Sequence, residues 1–489
     1  MLFNSLEFVI FFPTVVAIYF LLPQRYRWLL LLLASYYFYA AWKIEYTLLI
    51  FTSTVVDYTM ARRMAQSTQP GQRRAYLIVS LLVNLGLLFG FKYFSFFNES
   101  VRATLNLFNV FYNVPAFQVL LPVGISFYTF QTLSYVIDVY RGKIEPERHF
   151  GIYALYVSFF PQLVAGPIER ATHLLPQFRQ QMTFDQARVA SGLRLILWGL
   201  FKKVVIADRL AIYVNQVYNN PSEQGALTLL IASYFFAFQI YCDFSGYSDI
   251  AIGVARVLGF DLMQNFRQPY MARSLSSFWR RWHISLSTWF RDYLYIPLGG
   301  NRVPQWRWYS NLFIVFLVSG LWHGAAWHFV IWGALHGILV VLEAALSNRA
   351  LWGARWLRRD EPLRLPAIVN IFATFHVVLL TWIFFRANSL PDALLILGRL
   401  FTFAGTNTWD AINAPWTAVG VDPVWEMSLA VGLIILLEVI QWLERWGQNM
   451  ERTFVTYSRP VRWAAYLFLA IATMNLGTSM DTPFIYFQF

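Results

Sequence analysis

The sequence predicts an all-α polytopic membrane protein, and three observations carry that prediction. Of 489 residues, 58% are hydrophobic and only 13% are charged, against roughly 25% charged in an average soluble domain. The apolar residues come in runs separated by short loops, which suits helices, whereas barrel strands would alternate residue by residue. The basic residues behind a net charge of +12 cluster in those loops. There they set orientation in the membrane and meet anionic headgroups, which explains them better than nucleic acid does.

The first spans are Leu6–Leu22, Trp28–Trp42 and Leu48–Met60, near the ~20 residues a bilayer requires. Met1–Leu22 lacks a basic n-region and a small-residue cleavage site, so it reads as a span and not as a cleavable signal. Arg25 and Arg27 follow the first span, and Arg62, Arg63, Arg73 and Arg74 follow the third. Placing these inside puts the N-terminus outside. Tyr76–Phe97 then leads out to the stretch Asn98–Pro115, and Val119–Tyr140 returns to Arg141, Lys143 and Arg148.

The middle is less regular. Phe159–Arg170 packs Pro161, Gly166 and Pro167 into an apolar patch, which predicts a re-entrant or broken helix covered by protein. Leu193–Ile206 carries Lys202 and Lys203 and reads as tilted or interfacial. Ala226–Tyr241 is a clean span ending at Asp243-Phe-Ser-Gly-Tyr-Ser-Asp249, with a short segment, Ile250–Phe260, after it. Phe278–Ile296 is amphipathic. Phe278, Trp282, Leu286 and Trp289 recur at helical spacing beside Arg280, Arg281 and Arg291, so it is expected near the cytoplasmic interface with its rings at headgroup level.

Asn311–Leu321 and Trp327–Glu343 flank Ser319-Gly-Leu-Trp-His-Gly-Ala-Ala-Trp-His328. A basic loop follows, with Arg349, Arg355, Arg358, Arg359 and Arg364, and is expected in the cytoplasm. Ile368–Phe385 goes out to Thr406–Val424, which holds Asp410 and Asp422 but no basic residue. Met427–Leu443 returns to Arg445, Arg452, Arg459 and Arg462. Trp463–Leu476 exits and leaves Asp481–Phe489 outside. No repeat, low-complexity tract or linker interrupts the chain, so residues 1–489 read as one membrane domain.

His323 stands out because an ionisable side chain inside an apolar run is costly and usually marks a functional site. Gly320 and Gly324 thin the backbone beside it. The plainer alternative is a histidine capping a helix end on a carbonyl. Other chemistries fit less well. His323 and His328 are five apart with no carboxylate nearby, unlike a zinc-hydrolase helix. Cys242 is the only cysteine, so no intrachain disulfide or cysteine metal motif can form, and no metal is expected. Neither a Gly-x-Ser-x-Gly elbow nor a Walker motif occurs. What remains is neutral imidazole as a general base, which a hydroxyl attacking a thioester requires, held in a dry, enclosed site.

Gly320-Leu-Trp-His-Gly324 resembles the invariant histidine motif of the membrane-bound O-acyltransferase (MBOAT) family. Phe278-Trp-Arg-Arg-Trp-His283 is similar to the stretch that carries the family's second histidine. Leu32–Ala40, Phe160–Pro167, Tyr241–Asp249 and Phe384-Phe-Arg-Ala387 also resemble family stretches, in order and nearly end to end. The likeness is greatest to the bacterial branch that holds the membrane subunit of alginate O-acetyltransferase and the teichoic acid D-alanyltransferase, and within it to the alginate type.

The resemblance implies a bundle of roughly a dozen spanning, re-entrant and interfacial helices, at the ~20-residue length per span, around a tunnel. It implies His323 as catalytic base and His283 as the second tunnel histidine. Trp322 and Asp243 would line the tunnel, and Arg280, Arg281 and Arg291 would meet donor phosphates. The alternatives stay open. His283 could sit at headgroup level, paired with Asp292 or a lipid phosphate. Asp243 and Asp249 could belong to a helix N-cap around Ser245 and Ser248, and the arginines could bind lipid phosphate. His328 and His336 are expected to satisfy backbone carbonyls or line the cavity.

The expected activity is transfer of an acetyl group from a cytoplasmic thioester, acetyl-CoA or another, toward an exported polysaccharide. No cofactor is expected to stay bound. The resemblance implies a periplasmic partner of the serine-hydrolase type together with polysaccharide machinery. The expected location is the bacterial inner membrane, with both termini periplasmic. Acylation of a lipid or protein hydroxyl is the rival within the class. A transporter is the rival outside it, although the paired half-chain repeats common in transporters are not found.

Overall fold

The computed structural model describes residues 1–115, 122, 124–164, 166–348, 365–445, 457–478 and 484–485. Among them every regular element is helical, as the composition predicts. Five helices are long and apolar enough to cross a membrane: Pro70–Leu107, Ala226–Leu258, Trp327–Leu346, Pro366–Arg386 and Pro423–Leu443. The contacts gather into two compact units, Met1–Ile196 with Ile250–Met263, and Leu197–Asp249 with Gln264–Phe489.

The first unit opens with α1 (Leu6–Leu21), α2 (Gln24–Ala40) and α3 (Thr47–Gln66). The Ser5 hydroxyl starts α1 by accepting the Phe8 N–H, as an N-cap does. α3 extends past the expected span and takes Arg62 and Arg63 into its last turns, where basic side chains suit the helix dipole. α4 begins with Pro70 in its first turn and runs to Leu107 through a π-turn at Phe89–Tyr93. The stretch expected to be loop from Asn98 is therefore helical for ten of its residues. α5 (Ile125–Tyr140) follows Gly124, whose φ of +76° favours glycine and where a Cβ would lie 2.6 Å from the Leu163 carbonyl oxygen.

α3, α4 and α5 share a buried polar centre that the hydropathy pattern concealed. Asp57 is fully buried inside the third expected span. Its carboxylate accepts from the Ser80 hydroxyl and from Asn84 Nδ2 at 2.8 and 3.0 Å. The Ser53 and Thr132 hydroxyls donate to Asn84 Oδ1. A carboxylate without such donors would be too costly to bury, so the cluster fixes how these helices meet.

The predicted break after residue 158 is present. α6 (Phe150–Ser158) stops, a short turn of helix covers Phe160–Leu163, and another follows at Ala171–Leu174. Backbone groups freed by the break find side chains. The Tyr156 carbonyl accepts from Gln131 Nε2 at 2.6 Å and Gln162 Nε2 at 2.8 Å, and the Phe160 N–H donates to Ser35 Oγ at 3.1 Å. Such satisfaction is what allows non-helical backbone within an apolar protein. α7 (Gln186–Leu200) carries the chain out of this unit.

The second unit contains a π-turn at Phe201–Ala207, α8 (Asp208–Asn219) and most of α9 (Ala226–Leu258). α9 corrects two expectations. The segments 226–241 and 250–260 are one helix of 33 residues, so Ser245 and Ser248 lie mid-helix and cap nothing. The charges that suggested a break are neutralised within the unit. Lys203 Nζ reaches Asp243 at 2.7 Å and Asp208 at 2.8 Å, while Lys202 Nζ reaches Asp249 at 2.7 Å and Ser245 Oγ at 2.9 Å. Both lysines are buried. The charge that made 193–206 read as interfacial therefore sits inside protein, because carboxylates about forty residues downstream meet it.

The segment 278–296 is a second correction. It is not one amphipathic helix: Leu275–Trp279 is helical, the chain turns through residues 280–283, and α10 (Ile284–Phe290) starts afresh before a π-turn at Arg291–Tyr295. Phe278, Trp282, Leu286 and Trp289 are buried among other protein rings, so protein contacts take the place expected for headgroups.

α11 (Gln305–His323) and α12 (Trp327–Asn348) pack closely. A Cβ on Gly320 would lie 2.4 Å from the Phe329 carbonyl oxygen, and one on Gly333 2.4 Å from that of Phe316. Only glycine at both positions permits this approach. α13 (Leu365–Arg386), α14 (Leu390–Thr402), α15 (Pro423–Arg445) and α16 (Arg459–Leu476) complete the unit. α14, started by a Ser389 cap, and a short helix at Trp409–Thr417 had no counterpart in the hydropathy pattern. Arg349, Arg355, Arg358, Arg359, Arg364 and Arg452 lie outside the described residues. Within the tail expected outside, Phe484 and Ile485 are buried, and the Ile485 N–H donates to Asp243 Oδ2 at 2.7 Å.

Candidate active site

α11 ends at His323 because Gly324 leaves helical geometry there, with φ −157° and ψ 148°. Its extended backbone is followed closely by Phe329, whose ring a Cβ at residue 324 would strike at 2.1 Å. His323 thus closes a helix, as the plainer reading has it, but its ring is buried in an aromatic surround. Trp322 stands 4.9 Å away, Trp332 5.0 Å and Phe385 5.3 Å between centroids, all near edge-to-face.

The second histidine reaches the same place from another element. His283 precedes α10 in the left-handed region, with φ 44° and ψ 55°. For a side chain with Cβ that conformation costs roughly 1–2 kcal/mol, and outliers of this kind gather at functional sites. His283 is fully buried. Its ring lies 4.6 Å from Phe244, edge-on, and 6.0 Å from Trp322. It does not occupy an exposed headgroup position, and the Asp292 carboxylate is met by Arg291 Nε at 2.8 Å. Burial pushes the His283 pKa down to about 3, so its imidazole is neutral at physiological pH.

Trp322 is therefore the shared wall of two buried imidazoles, one adjacent in sequence and one about forty residues upstream. Neutral imidazole can take a proton from a hydroxyl, and an enclosed aromatic site keeps competing water away.

Asp243 is one turn or less from Phe244, and its charge is committed to Lys203 and to the Ile485 N–H. It precedes in sequence the ring that His283 packs on and belongs to the charged cluster with Lys203 and Asp208. Arg280 and Arg291 are exposed and Arg281 partly so. Arg281 Nε reaches Ser277 Oγ at 3.3 Å, and Arg291 Nε reaches Asp292 at 2.8 Å. His328 Nδ1 meets the Phe384 carbonyl at 2.9 Å. His336 bonds side chains instead of carbonyls: Nε2 meets Thr381 Oγ1 at 2.9 Å, and Nδ1 accepts from Trp279 Nε1 at 3.4 Å.

Two contributors, Trp332 and Asn265, had no signal of their own in the chain. Trp332 is an ordinary apolar residue until α12 brings it to His323, and Phe385, within a stretch that resembles the family, had no role assigned until α13 brought it there. Asn265 is a polar residue in a segment without periodicity, yet it holds the start of α10.

The described residues thus form an all-helical, membrane-type fold in which two buried histidines pack about one indole. Residues 148–390 match the model of the MBOAT, membrane-bound O-acyltransferase family. A protein of Pseudomonas putida named probable alginate O-acetylase AlgI is 37% identical over the whole of both chains. A peptidoglycan O-acetyltransferase of Helicobacter pylori is 33% identical over all of this chain and 98% of its own length. A teichoic acid D-alanyltransferase of Bacillus subtilis is 27% identical over 52% of this chain and 66% of its own. The chain belongs to the membrane-bound O-acyltransferase family and is an O-acetyltransferase.

Proposed function

We propose that the protein moves an acetyl group from a cytoplasmic thioester, acetyl-CoA, toward the hydroxyl groups of an exported polysaccharide, with His323 as general base. The observation that carries this reading is the pair His323 and His283 about Trp322, in a chain whose full-length relatives include an alginate O-acetylase and a peptidoglycan O-acetyltransferase. In the step itself the acceptor oxygen bonds to the thioester carbonyl carbon as His323 takes the hydroxyl proton. The carbon–sulfur bond then breaks, and the departing sulfur receives that proton and leaves as free thiol. His283 orients the donor, and Trp322 keeps the two imidazoles in register.

Arginine and lysine distribution supports a multi-pass inner-membrane protein with both termini periplasmic. On that reading His323 lies toward the external half and the His283 segment faces the cytoplasm. The acyl group alone crosses, and the charged donor stays where charge is cheap. A periplasmic partner of the serine-hydrolase type passes the acetyl group to polymer. The test is incubation of the purified protein with labelled acetyl-CoA, with and without polysaccharide and the periplasmic partner. Release of thiol together with label on an acceptor hydroxyl supports the reading. A wild-type protein that consumes no acetyl thioester under any of these conditions overturns it.

A further inference from the structure

We infer that Asn265 is a positioning residue that holds His283 in its working orientation; this rests on the reading of His283 as part of the acetyl-transfer site. Asn265 is buried, at 1% exposure. Its carbonyl oxygen accepts the Ile284 N–H at 2.9 Å, so it grips the residue that follows the left-handed turn. Its Oδ1 accepts the Ser285 hydroxyl at 2.6 Å and the Ser285 N–H at 3.4 Å, while its Nδ2 donates to Ser248 Oγ at 3.1 Å.

These bonds satisfy the first N–H groups of α10, which a helix leaves without intrahelical partners. They also tie that start to α9. Ser248 is four residues after Phe244 and on the same face of α9, since residues four apart stack along a helix. Phe244 is the ring that meets His283 edge-on at 4.6 Å. The Asn265 backbone carbonyl therefore holds Ile284, while its side chain joins Ser285, two residues after His283, to the helix whose ring His283 packs against.

A left-handed residue with a Cβ persists only when its surroundings over-determine it, and Asn265 contributes to that beside the Arg267 N–H, which donates to the Arg281 carbonyl at 2.9 Å. Without it, the turn is expected to relax toward ordinary helical φ and carry the imidazole away from Trp322. Misplacement of about 1 Å at a reacting centre costs up to ~10²-fold in rate.

The experiment compares wild type, Asn265→Ala, Ser285→Ala and His283→Gly, with each of the first two substitutions also combined with His283→Gly. All are full-length and purified, and are assayed with labelled acetyl-CoA and by thermal unfolding. Asn265→Ala should lower kcat by roughly 10–100-fold and change donor binding in the same direction as His283→Ala does. Ser285→Ala, which leaves Asn265 in place, should show the same two effects on a smaller scale. Glycine adopts the left-handed region freely, so no strain is released there when the turn lets go, and each substitution should cost more stability in the His283→Gly background than in wild type. Folded Asn265→Ala and Ser285→Ala proteins with kcat within two-fold of wild type overturn the inference, while the reading of His283 stands if His283→Gly is impaired. Equal stability losses in both backgrounds also overturn it, and the Ser285 pair decides the point if Asn265→Ala does not fold. His283→Gly at wild-type kcat overturns both the role of His283 and this inference.

Discussion

Trp322 and His323, consecutive in the chain, meet edge to face at 4.9 Å at the end of α11, and the same indole lies 6.0 Å from the ring of His283. Replacing His323 with alanine removes the group proposed to take the acceptor proton while leaving the helix end intact, since Gly324 terminates it. The loss expected for a general base is about 10²–10⁴-fold in acetylation, with normal insertion and folding. Labelled acetyl incorporation measures it, and a His323→Ala protein within a few-fold of wild type would remove His323 from the mechanism. His283→Ala should be damaging but less so, with donor binding changed.

Burial of His283 has a consequence for acid stability. Its folded-state pKa is about 3, against about 6.5 for an unperturbed histidine. Between those values the unfolded chain takes up a proton that the folded protein refuses, so the contribution is fully present above pH ~6.5 and is lost as pH falls. The slope from this one group is no more than about 1.4 kcal/mol per pH unit. A His283→Asn protein, still tolerant of the left-handed conformation, should lose less stability between pH 6.5 and 4 than wild type does. Thermal unfolding across that range in detergent is the measurement, and parallel curves for the two proteins would contradict the assignment.

Lys203 answers two buried carboxylates, Asp243 at 2.7 Å and Asp208 at 2.8 Å. Lys203→Met should therefore be severe, at about 3–5 kcal/mol, because it leaves buried charge of one sign uncompensated. Asp243→Asn should be milder, since the amide oxygen can still accept the Ile485 N–H that Asp243 now holds. Denaturation midpoints of the two variants should fall in that order, and the reverse order would mean that the tail contact outweighs the ion pairs.

Sidedness follows from the arginine distribution and can be read by cysteine labelling on a Cys242→Ala background. Cys242 is buried and packs as a small apolar group, so this background should keep acetylation within two-fold of wild type. Cysteines replacing the exposed Arg302 and Asp410 should label from the cytoplasm and the periplasm respectively. Labelling of both from one side would overturn the proposed topology and the two-sided transfer with it.

Local patterns in the chain specified the class of fold, most helix positions, the break after residue 158 and His323 as a candidate. Each is a local signal: hydropathy at helical length, proline and glycine inside an apolar patch, an ionisable group between glycines. Local signals erred wherever a charge was read as a boundary. Asp243 and Asp249 looked like the end of a span, yet α9 continues through them, because Lys203 and Lys202 arrive from a distant part of the chain. Asp57 passed unnoticed inside a span because Ser80 and Asn84 satisfy it from the next helix. The arginine-rich segment 278–296 read as one interfacial helix, yet Asn265 holds a turn in its midst. Burial of a polar group depends on the partners it meets in space, and hydropathy counts only neighbours along the chain. His323 could be singled out as a candidate by its place in an apolar run, and His283 by the family resemblance of its stretch. Their meeting across Trp322, and the Trp332 and Phe385 rings that enclose one of them, were decided by tertiary structure alone.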